Sequence, residues 1–387
     1  MGLRRVFSLR VGMAVWALLA SMANAACECG YSINATTTPT HQTYSDLLET
    51  DWLHTYNLTK SSIGWRPQEY NVTPSAARGP FGKAARVANV VVNPVADEEA
   101  WTGTTTLGGG DPGLQVWVRR GLEGERGDMV GMGEIAAERT DMLFGSYRVA
   151  MKMNGVPGTC GAIFWFRNDT QEIDMEFLSS QFNTTSSPVN LVLQSPASAR
   201  AGFDAAGTPS FKLYQLPFTP SDGYHEYRFD WSPGRVSFYG DGHWLYDMTS
   251  SIPNSPGRLV MNHWSNGDPR WSAGPPAQDA VMTISYVKAY FNSTEQDRRE
   301  VYQRNCPQPD LSKVCQIPDQ LVPPEATRNE TAKTFFFTKE EGMANGQVVY
   351  NVTHLGAASV LGAPGFVVWT AVLVVVVFVG VGVEVGL

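Results

Sequence analysis

Residues 172–177 read EIDMEF and alternate strictly between acidic and apolar side chains. In a β-strand, successive side chains point to opposite faces of the sheet. Glu172, Asp174 and Glu176 therefore share one face, and the Ile, Met and Phe between them share the face suited to a core. Three like charges on one strand face repel one another and cost folding free energy, so this row indicates a functional site.

Paired carboxyl groups are the catalysts of glycoside hydrolysis, in which one attacks the anomeric carbon and the other donates and then accepts a proton. Two charges about 4 Å apart interact by roughly 4 kcal/mol at an effective dielectric of about 20, which can raise one carboxyl pKa by up to about three units. On a flat strand the Cα atoms of Glu172 and Glu176 would lie about 13 Å apart. The two Glu side chains must therefore lean toward each other over the shorter Asp174. A polar strand face against solvent is the alternative interpretation.

Further apolar or alternating runs, bounded by Gly, Pro, Asn and Asp, predict an all-β chain. The predicted strands cover residues 44–53, 85–91, 113–118, 144–153, 161–167, 190–194, 224–231, 236–239, 243–246, 259–264 and 282–291. The first of these runs also fits an entry helix. A short helix is predicted at residues 295–304.

The motif at residues 172–177 resembles the E-x-D-x-E signature of glycoside hydrolase family 16, of the fungal secreted or GPI-anchored type. The runs FGSYRVAMKM, AIFWF and YHEYRFDWSPGRVSFYGDG resemble the strands around that signature. The resemblance implies a concanavalin A-like β-jelly-roll sandwich of two antiparallel sheets and a retaining mechanism. It implies that Glu172 is the nucleophile, Asp174 the assisting acid and Glu176 the general acid/base.

The spacing within the motif points to a substrate. One residue separates Asp174 from Glu176, as in lichenases, xyloglucan-active enzymes and fungal cell-wall transglycosylases, whereas laminarinase-like members have two. The resemblance implies a retaining glycosidase of β-1,3/1,4-glucan-type cell-wall polysaccharide that needs no cofactor. Two alternatives stay open: a cell-wall transglycosylase that crosslinks glucan, or chitin to glucan, and a non-catalytic carbohydrate-binding jelly roll.

Four residues are candidates for sugar contact: Trp165, Asn262, Trp264 and Trp271. Asn262 and Trp264 match an N-x-W segment of the family, although core packing explains each Trp equally well. The six His residues show no metal-ligand spacing, so no metal site is expected. The glycine-rich run at residues 108–113 lacks the Lys-Ser/Thr of a phosphate loop, so no nucleotide site is expected.

The two ends of the chain have the character of targeting segments. Residues 1–25 combine a basic start, a short apolar run and a final Ala-Asn-Ala, which predicts a secretory signal peptide. Residues 356–387 combine small residues, a spacer and an apolar tail, which predicts a GPI-attachment signal or a retained membrane helix. Between them we predict a catalytic domain at 26–294, with an N-terminal extension at 26–43. A Pro-containing linker follows at 295–355, in which a patch of three Phe residues at 335–337 is either free or docked on the domain.

The composition fits a secreted protein at the cell surface or wall. Charged residues make up 17% of the chain and the net charge is −8, which argues against a nucleic-acid surface. We expect a monomer whose partners are a polysaccharide and, through the C-terminal tail, the membrane. Eight N-x-S/T sequons predict glycosylation: Asn34, Asn57, Asn71, Asn168, Asn183, Asn292, Asn329 and Asn351.

The chain contains five cysteines, an odd number for an oxidising compartment. Cys27, Cys29, Cys306 and Cys315 lie outside the predicted sandwich. They form either two bridges between the N-terminal segment and the Pro-rich tail, or one local loop between the last two. Cys160 is then left as a buried structural thiol.

Overall fold

A computed structural model describes residues 27–34, 42–58, 64–102, 106–183, 187–327, 331–340 and 342–343. All of them belong to one compact unit within residues 1–354. The predicted signal peptide at 1–25 and the predicted GPI signal or membrane helix at 356–387 lie outside the described residues. Within the described part of the chain, the helices are too short or too polar to cross a bilayer.

The strands are numbered in chain order and fall into two large sheets and one small sheet. The site sheet, named for the acidic strand β13, contains β4 (Trp65–Pro67), β5 (Tyr70–Val72), β6 (Gly82–Ala85), β9 (Leu122–Glu123), β10 (Met129–Ala137), β12 (Cys160–Asn168), β13 (Gln171–Leu178), β14 (Pro188–Gln194), β15 (Phe211–Gln215) and β19 (Arg258–Trp264). The back sheet contains β3 (Asp46–Asp51), β7 (Val90–Asn93), β8 (Gly113–Val118), β11 (Met142–Lys152), β16 (His225–Ser232), β17 (Arg235–Gly240), β18 (His243–Met248) and β20 (Ala280–Ser293). The small sheet contains β1 (Tyr31–Ser32), β2 (Thr43–Tyr44) and β21 (Cys315–Gln316).

Short helices connect these strands. The α-helices are α1 (Pro74–Ala77), α2 (Pro196–Arg200) and α3 (Gln296–Asn305), the last of which confirms the helix predicted at 295–304. The 3-10 helices are Trp52–His54, Val87–Asn89, Ser179–Gln181, Leu311–Lys313 and Phe337–Lys339.

The core lies between the two large sheets and is built from the apolar alternate positions of their strands. Phe177 of β13 packs against Tyr227 of β16, with ring centroids 4.5 Å apart. Strand pairing within both large sheets is antiparallel except between β6 and β10. The predicted all-β sandwich of two antiparallel sheets is confirmed. Its consequence for function is that the second face of β13 is turned away from the core.

The strand predicted at residues 85–91 is wrong as a single element. Strand β6 ends at Ala85 in the site sheet, and β7 begins at Val90 in the back sheet. Between them the side chain of Asn89 donates to the Met132 carbonyl and accepts from Arg119. These hydrogen bonds pair polar groups of a buried turn that leads the chain from one sheet to the other. An apolar run that looks continuous in sequence is therefore divided between two strands. The run at 44–53 is β3 followed by a 3-10 helix.

Two disulfides join the ends of the domain: Cys27–Cys315 and Cys29–Cys306. This confirms the two-bridge alternative. Cys160 is free and buried, also as predicted. Each bridge closes a loop of more than 270 residues, so both should restrict the unfolded chain strongly.

Part of the segment predicted as a linker at 295–355 packs on the domain, which supports the docked alternative for the patch at 335–337. Phe336 and Phe337 are only 2% and 3% exposed. Phe337 lies 5.9 Å, ring centroid to centroid, from Tyr290 on the outer face of the back sheet. Lys288, on the same strand, donates to Thr334 at 2.6 Å. The back sheet presents aromatic and charged groups on its outer face, and the Phe patch docks because it covers them.

The sequons that the structure describes differ in exposure. Asn71, Asn168 and Asn183 are exposed. Asn34, Asn57 and Asn292 are partly buried. Asn329 and Asn351 lie outside the described residues. Glycosylation of all eight stays a prediction.

Candidate active site

The acidic row lies on the open face of the site sheet. Strand β13 is bordered by β12 and β14, so its position is fixed on both edges. Glu172, Asp174 and Glu176 point away from the core, and Asp174 is 5% exposed. Directly opposite Glu176 on β12 is the small Ala162. This small neighbour leaves room for the long Glu side chain to lean along the sheet.

The acids form the floor of a cavity of about 530 Å³. The cavity continues past the acids on both sides and mixes aromatic faces with polar groups. Besides the three acids, its lining includes Arg78, Lys83, Phe164, Gln194, Phe203, Phe211, Asn262, Trp264 and Trp271. A cleft of this size and composition is typical of a small-ligand or sugar-binding site.

Glu172 and Asp174 are hydrogen-bonded to each other. Burial, reinforced by the negative charges of Glu172 and Glu176, raises the pKa of Asp174 well above its usual range. Burial raises the pKa of Glu172 to about 8, while the bond from Asp174 and the charge of Lys83 act in the opposite direction. A proton on Asp174 lets that group donate to the Glu172 carboxylate. The second oxygen of Asp174, Oδ2, is buried without a hydrogen-bond partner among the described residues.

Glu176 is surrounded by donors and cations. Its Oε1 accepts from the Trp271 indole Nε1 at 3.4 Å and from the Cys160 thiol at 3.5 Å. Burial raises the pKa of Glu176, and these two bonds together with the charges of Lys83 and Arg78 limit the rise. A carboxyl with a raised pKa can hold a proton at a pH where ordinary carboxyls are ionised, as a general acid requires.

Three of the four predicted sugar contacts lie at this cleft. Asn262 donates to Glu134 Oε2 at 3.2 Å, and its own Oδ1 is buried without a partner in the part of the chain described. The Trp264 ring faces the cleft with the Lys83 ammonium 4.4 Å from its centroid. Trp271 lines the cavity beside Glu176. One face of Trp264 is thus already covered by a cation.

The predicted sugar contact of Trp165 is wrong. Trp165 is fully buried in the core, 4.4 Å from the Trp231 ring, and its Nε1 donates to the Met142 carbonyl. Its β12 register pairs it with Ile173, which belongs to the apolar set of β13. Phe164 takes the cleft position instead. The near-continuous aromatic run of β12 hides its alternation in sequence, and only the pairing with β13 shows which ring faces which way.

Residues 120–288 match the family model described as "Glycosyl hydrolases family 16". The matched region includes the acidic strand and all four predicted sugar contacts. The matched region, residues 120–288, is assigned to glycosyl hydrolase family 16.

Relatives that match part of the chain carry the name beta-glucanase. It is 32% identical over 127 residues to a beta-glucanase of Bacillus subtilis, which covers 32% of the chain and 47% of the relative. It is 30% identical over 161 residues to a beta-glucanase of Acetivibrio thermocellus, which covers 40% and 44%. The chain therefore spans less than half the length of either relative.

Solved structures resemble the chain at lower identity. A prokaryotic beta-1,3-1,4-glucanase (lichenase) derived from a mouse hindgut metagenome is 19% identical, with a TM-score of 0.47, and the match covers 63% of this chain and 99% of that one. An apo Crh5 transglycosylase is 18% identical, with a TM-score of 0.43, and the match covers 64% and 84%.

Two residues beside the acidic row, Lys83 and Cys160, were not expected from the sequence to take part in the site. Lys83 comes from β6, about 90 residues before the acids, and sits in a run of small residues that carries no signal of a site. Cys160 was expected to be only structural, yet its thiol contacts Glu176. Side-chain alternation along β12, once that strand is paired with β13, places Cys160 on the same face as Glu176. It does not show that the thiol lies within hydrogen-bonding distance of the carboxyl.

Proposed function

We propose that the chain is a retaining glycosidase that cleaves β-1,3/1,4-glucan-type polysaccharide, with Glu172 as nucleophile and Glu176 as general acid/base. The observation that carries the proposal is the placement of three carboxyl groups on the floor of one cleft. Glu172 is hydrogen-bonded to Asp174. Glu176 accepts hydrogen bonds from Trp271 and Cys160 instead. Two acids in different surroundings suit two different roles.

The reaction would proceed in two balanced steps. In the first, the Glu172 carboxylate attacks the anomeric carbon while Glu176 donates its proton to the departing glycosidic oxygen, which leaves a glycosyl ester on Glu172. In the second, the Glu176 carboxylate takes a proton from a water molecule while the oxygen of that water attacks the anomeric carbon. The ester bond breaks, and the Glu172 carboxylate is released. Asp174 donates to Glu172 and so stabilises it as an anion at the start and at the end.

The choice of β-glucan rests on the relatives and on the cleft. The beta-glucanases that match this chain supply the substrate class. The lining supports it, because Trp271 and Phe164 offer flat apolar faces to sugar rings, while Asn262 and Gln194 offer hydrogen bonds to hydroxyls. No cofactor takes part in the proposed steps.

Transfer to a sugar acceptor is the second candidate, either as glucan remodelling or as crosslinking of chitin to glucan. It uses the same glycosyl ester, and an acceptor hydroxyl replaces water in the second step. The cavity extends on both sides of the acids, toward Gln194 and toward Trp264, so an acceptor can lie beside a bound donor. A purely binding jelly roll is disfavoured, because burying three carboxyl groups costs free energy without improving the recognition of a neutral sugar.

We further propose that the protein acts outside the cell, at the surface or wall, held by a GPI anchor or a membrane helix. Two disulfides support an oxidising compartment. Mass spectrometry of the mature C-terminus would test the form of the anchor. Loss of the tail with a lipid-bearing glycan would support a GPI anchor, and an intact tail would support a membrane helix.

Product analysis tests the activity. The secreted protein is incubated with mixed-linkage glucan, laminarin, xyloglucan and chitin oligosaccharides, with and without acceptor oligosaccharides, and the first product's anomeric form is followed by proton NMR. We expect β-configured products from mixed-linkage glucan and no turnover by Glu172→Gln. The exposed Glu125→Gln serves as the matched control with normal turnover. Turnover by Glu172→Gln at the wild-type rate, or an inverted product, would refute the mechanism.

A further inference from the structure

Cys160 opens strand β12 and turns its side chain to the cleft face of the site sheet. In the β12–β13 register, Ala162 lies opposite Glu176 and Cys160 lies opposite Leu178. Cys160 is therefore the diagonal neighbour of Glu176, at a separation that long side chains can bridge. The methyl group of Ala162 leaves the Glu176 carboxyl free to lean toward the thiol.

The thiol and an indole N–H hold the same oxygen of Glu176. Cys160 Sγ lies 3.5 Å from Oε1, and Trp271 Nε1 lies 3.4 Å from it. Among the described residues, the other oxygen, Oε2, has no protein donor. The carboxyl is thus fixed through one oxygen, and the second oxygen is left for the cleft.

The thiol keeps its proton in this position, and its two acceptors are Glu176 Oε1 at 3.5 Å and the Gly161 carbonyl at 3.8 Å. Cys160 is fully buried, and burial together with the neighbouring Glu176 raises its pKa well above the usual thiol range. It therefore keeps its proton, and it is not a nucleophile.

We propose that Cys160 is a positioning residue for the general acid/base: its S–H bond to Oε1 of Glu176 directs Oε2 at the glycosidic oxygen. This inference rests on the proposed function and adds to it a residue outside the acidic motif.

The charged groups around Glu176 bear on the direction in which its pKa should move when the Cys160 donor is removed. Glu172 and Asp174 lie beside it on β13, while Lys83 from β6 and Arg78 after α1 act as cations. The Cys160 bond stabilises the ionised form of Glu176 and so lowers its pKa. Removing the donor while these charges stay in place should raise that pKa.

The test compares the pH dependence of kcat/KM for wild type, Cys160→Ser, Cys160→Ala and Cys160→Val on mixed-linkage glucan. The basic limb reports the loss of the proton from the general acid. We expect Cys160→Ala and Cys160→Val to move that limb upward by about 0.5–1 pH unit and to lose roughly 10-fold in kcat/KM. Cys160→Ser retains a donor and should keep the wild-type limb.

A second measurement separates positioning from packing. A 2,4-dinitrophenyl β-glucan oligosaccharide releases 2,4-dinitrophenolate, which departs without protonation while the sugar is transferred to Glu172. The kcat/KM for this substrate should therefore be nearly the same in wild type and Cys160→Ala. Leu178→Ala is the packing control, because Leu178 is buried in the same apolar cluster without a bond to Glu176. It should lower stability and leave the basic limb in place.

The outcomes distinguish this inference from the proposed function. An unchanged basic limb in Cys160→Ala, with turnover that still depends on Glu176, overturns the role of Cys160 alone. An equal loss on both substrates also overturns it. A wild-type protein that shows no turnover dependent on Glu172 overturns the proposed function, and the role of Cys160 with it.

Discussion

The indole Nε1 of Trp271 donates to Oε1 of Glu176 at 3.4 Å, across 95 residues of sequence. Trp271 comes from the loop after β19, and Glu176 from the middle of the acidic strand. The bond makes Trp271 part of the surroundings that set the proton affinity of the general acid/base, in addition to its place in the cleft wall. One side chain therefore both lines the cleft and donates a hydrogen bond to the general acid/base.

Trp271→Phe keeps an aromatic face in the cleft and removes the donor. We expect kcat/KM to fall roughly 10-fold and the basic limb of its pH profile to move upward, because the lost bond stabilised the Glu176 carboxylate. Steady-state kinetics from pH 4 to pH 9 measure both effects. Trp244→Phe is the control, since Trp244 is 57% exposed on the back sheet. A basic limb at the wild-type pH would contradict the role of the bond.

Asp174 can be tested with a pair of variants. Asp174→Asn keeps an N–H donor toward Glu172, whereas Asp174→Ala leaves Glu172 without it. The bond lowers the pKa of Glu172, so its loss should move the acidic limb of kcat/KM to higher pH and reduce the rate roughly 100-fold. Asp174→Asn should lose less of the rate and keep the acidic limb of kcat/KM at the wild-type pH. Identical profiles for the two variants would argue that Asp174 acts through its charge and not through its bond.

The buried acids should make stability fall as the pH rises. The folded-state pKa of Glu172 is raised to about 8 and that of Asp174 is also raised, above unfolded values of about 4. The folded protein then binds more protons, so stability present below pH ~4 is lost as the pH rises through the folded-state pKa values.

The Glu172→Gln/Asp174→Asn double variant removes both titrations. We expect its Tm to exceed that of wild type by about 5 °C or more at pH 8 and to approach it at pH 4. Thermal unfolding followed by circular dichroism at the two pH values measures this difference, with Glu125→Gln as the exposed control. A Tm gap of the same size at both pH values would refute the linkage.

Docking of the C-terminal segment on the back sheet should contribute to the stability of the domain. Phe337 is 3% exposed and packs against Tyr31 and Tyr290. Phe337→Ala should lower the free energy of unfolding by about 3–5 kcal/mol, as measured by urea denaturation. Leu321→Ala, at a side chain 59% exposed in the same segment, should change it by less than about 0.5 kcal/mol. Equal stability of the two variants would restore the interpretation of this segment as a free linker.

The elements that follow from local sequence were predicted well. The alternation in EIDMEF placed three acids on one face, because strand side chains alternate whatever the neighbours are. The hairpin at 235–248 and the closing strand β20 followed from turn residues and period. The two-bridge alternative was available from the positions of the cysteines, although sequence alone left it open beside a local loop.

Other features depend on contacts between distant segments. The division of residues 85–91 between two sheets depends on the bonds of Asn89 to β10 and to Arg119. The burial of Trp165 depends on the register between β12 and β13, since its own strand is apolar on both faces. The docking of Phe336 and Phe337 depends on what the outer face of the back sheet presents.

The sequence by itself determined the row of carboxyl groups and the face they share, because both follow from the period of a strand. Only the tertiary structure decided how each acid differs from the next. Asp174 is bonded to Glu172, while Glu176 is held by Cys160 and Trp271 and lies near Lys83. These partners come from three other segments of the chain. The proton affinity of a buried carboxyl is set by such neighbours and by the loss of water around it, and neither is written in the strand that carries it.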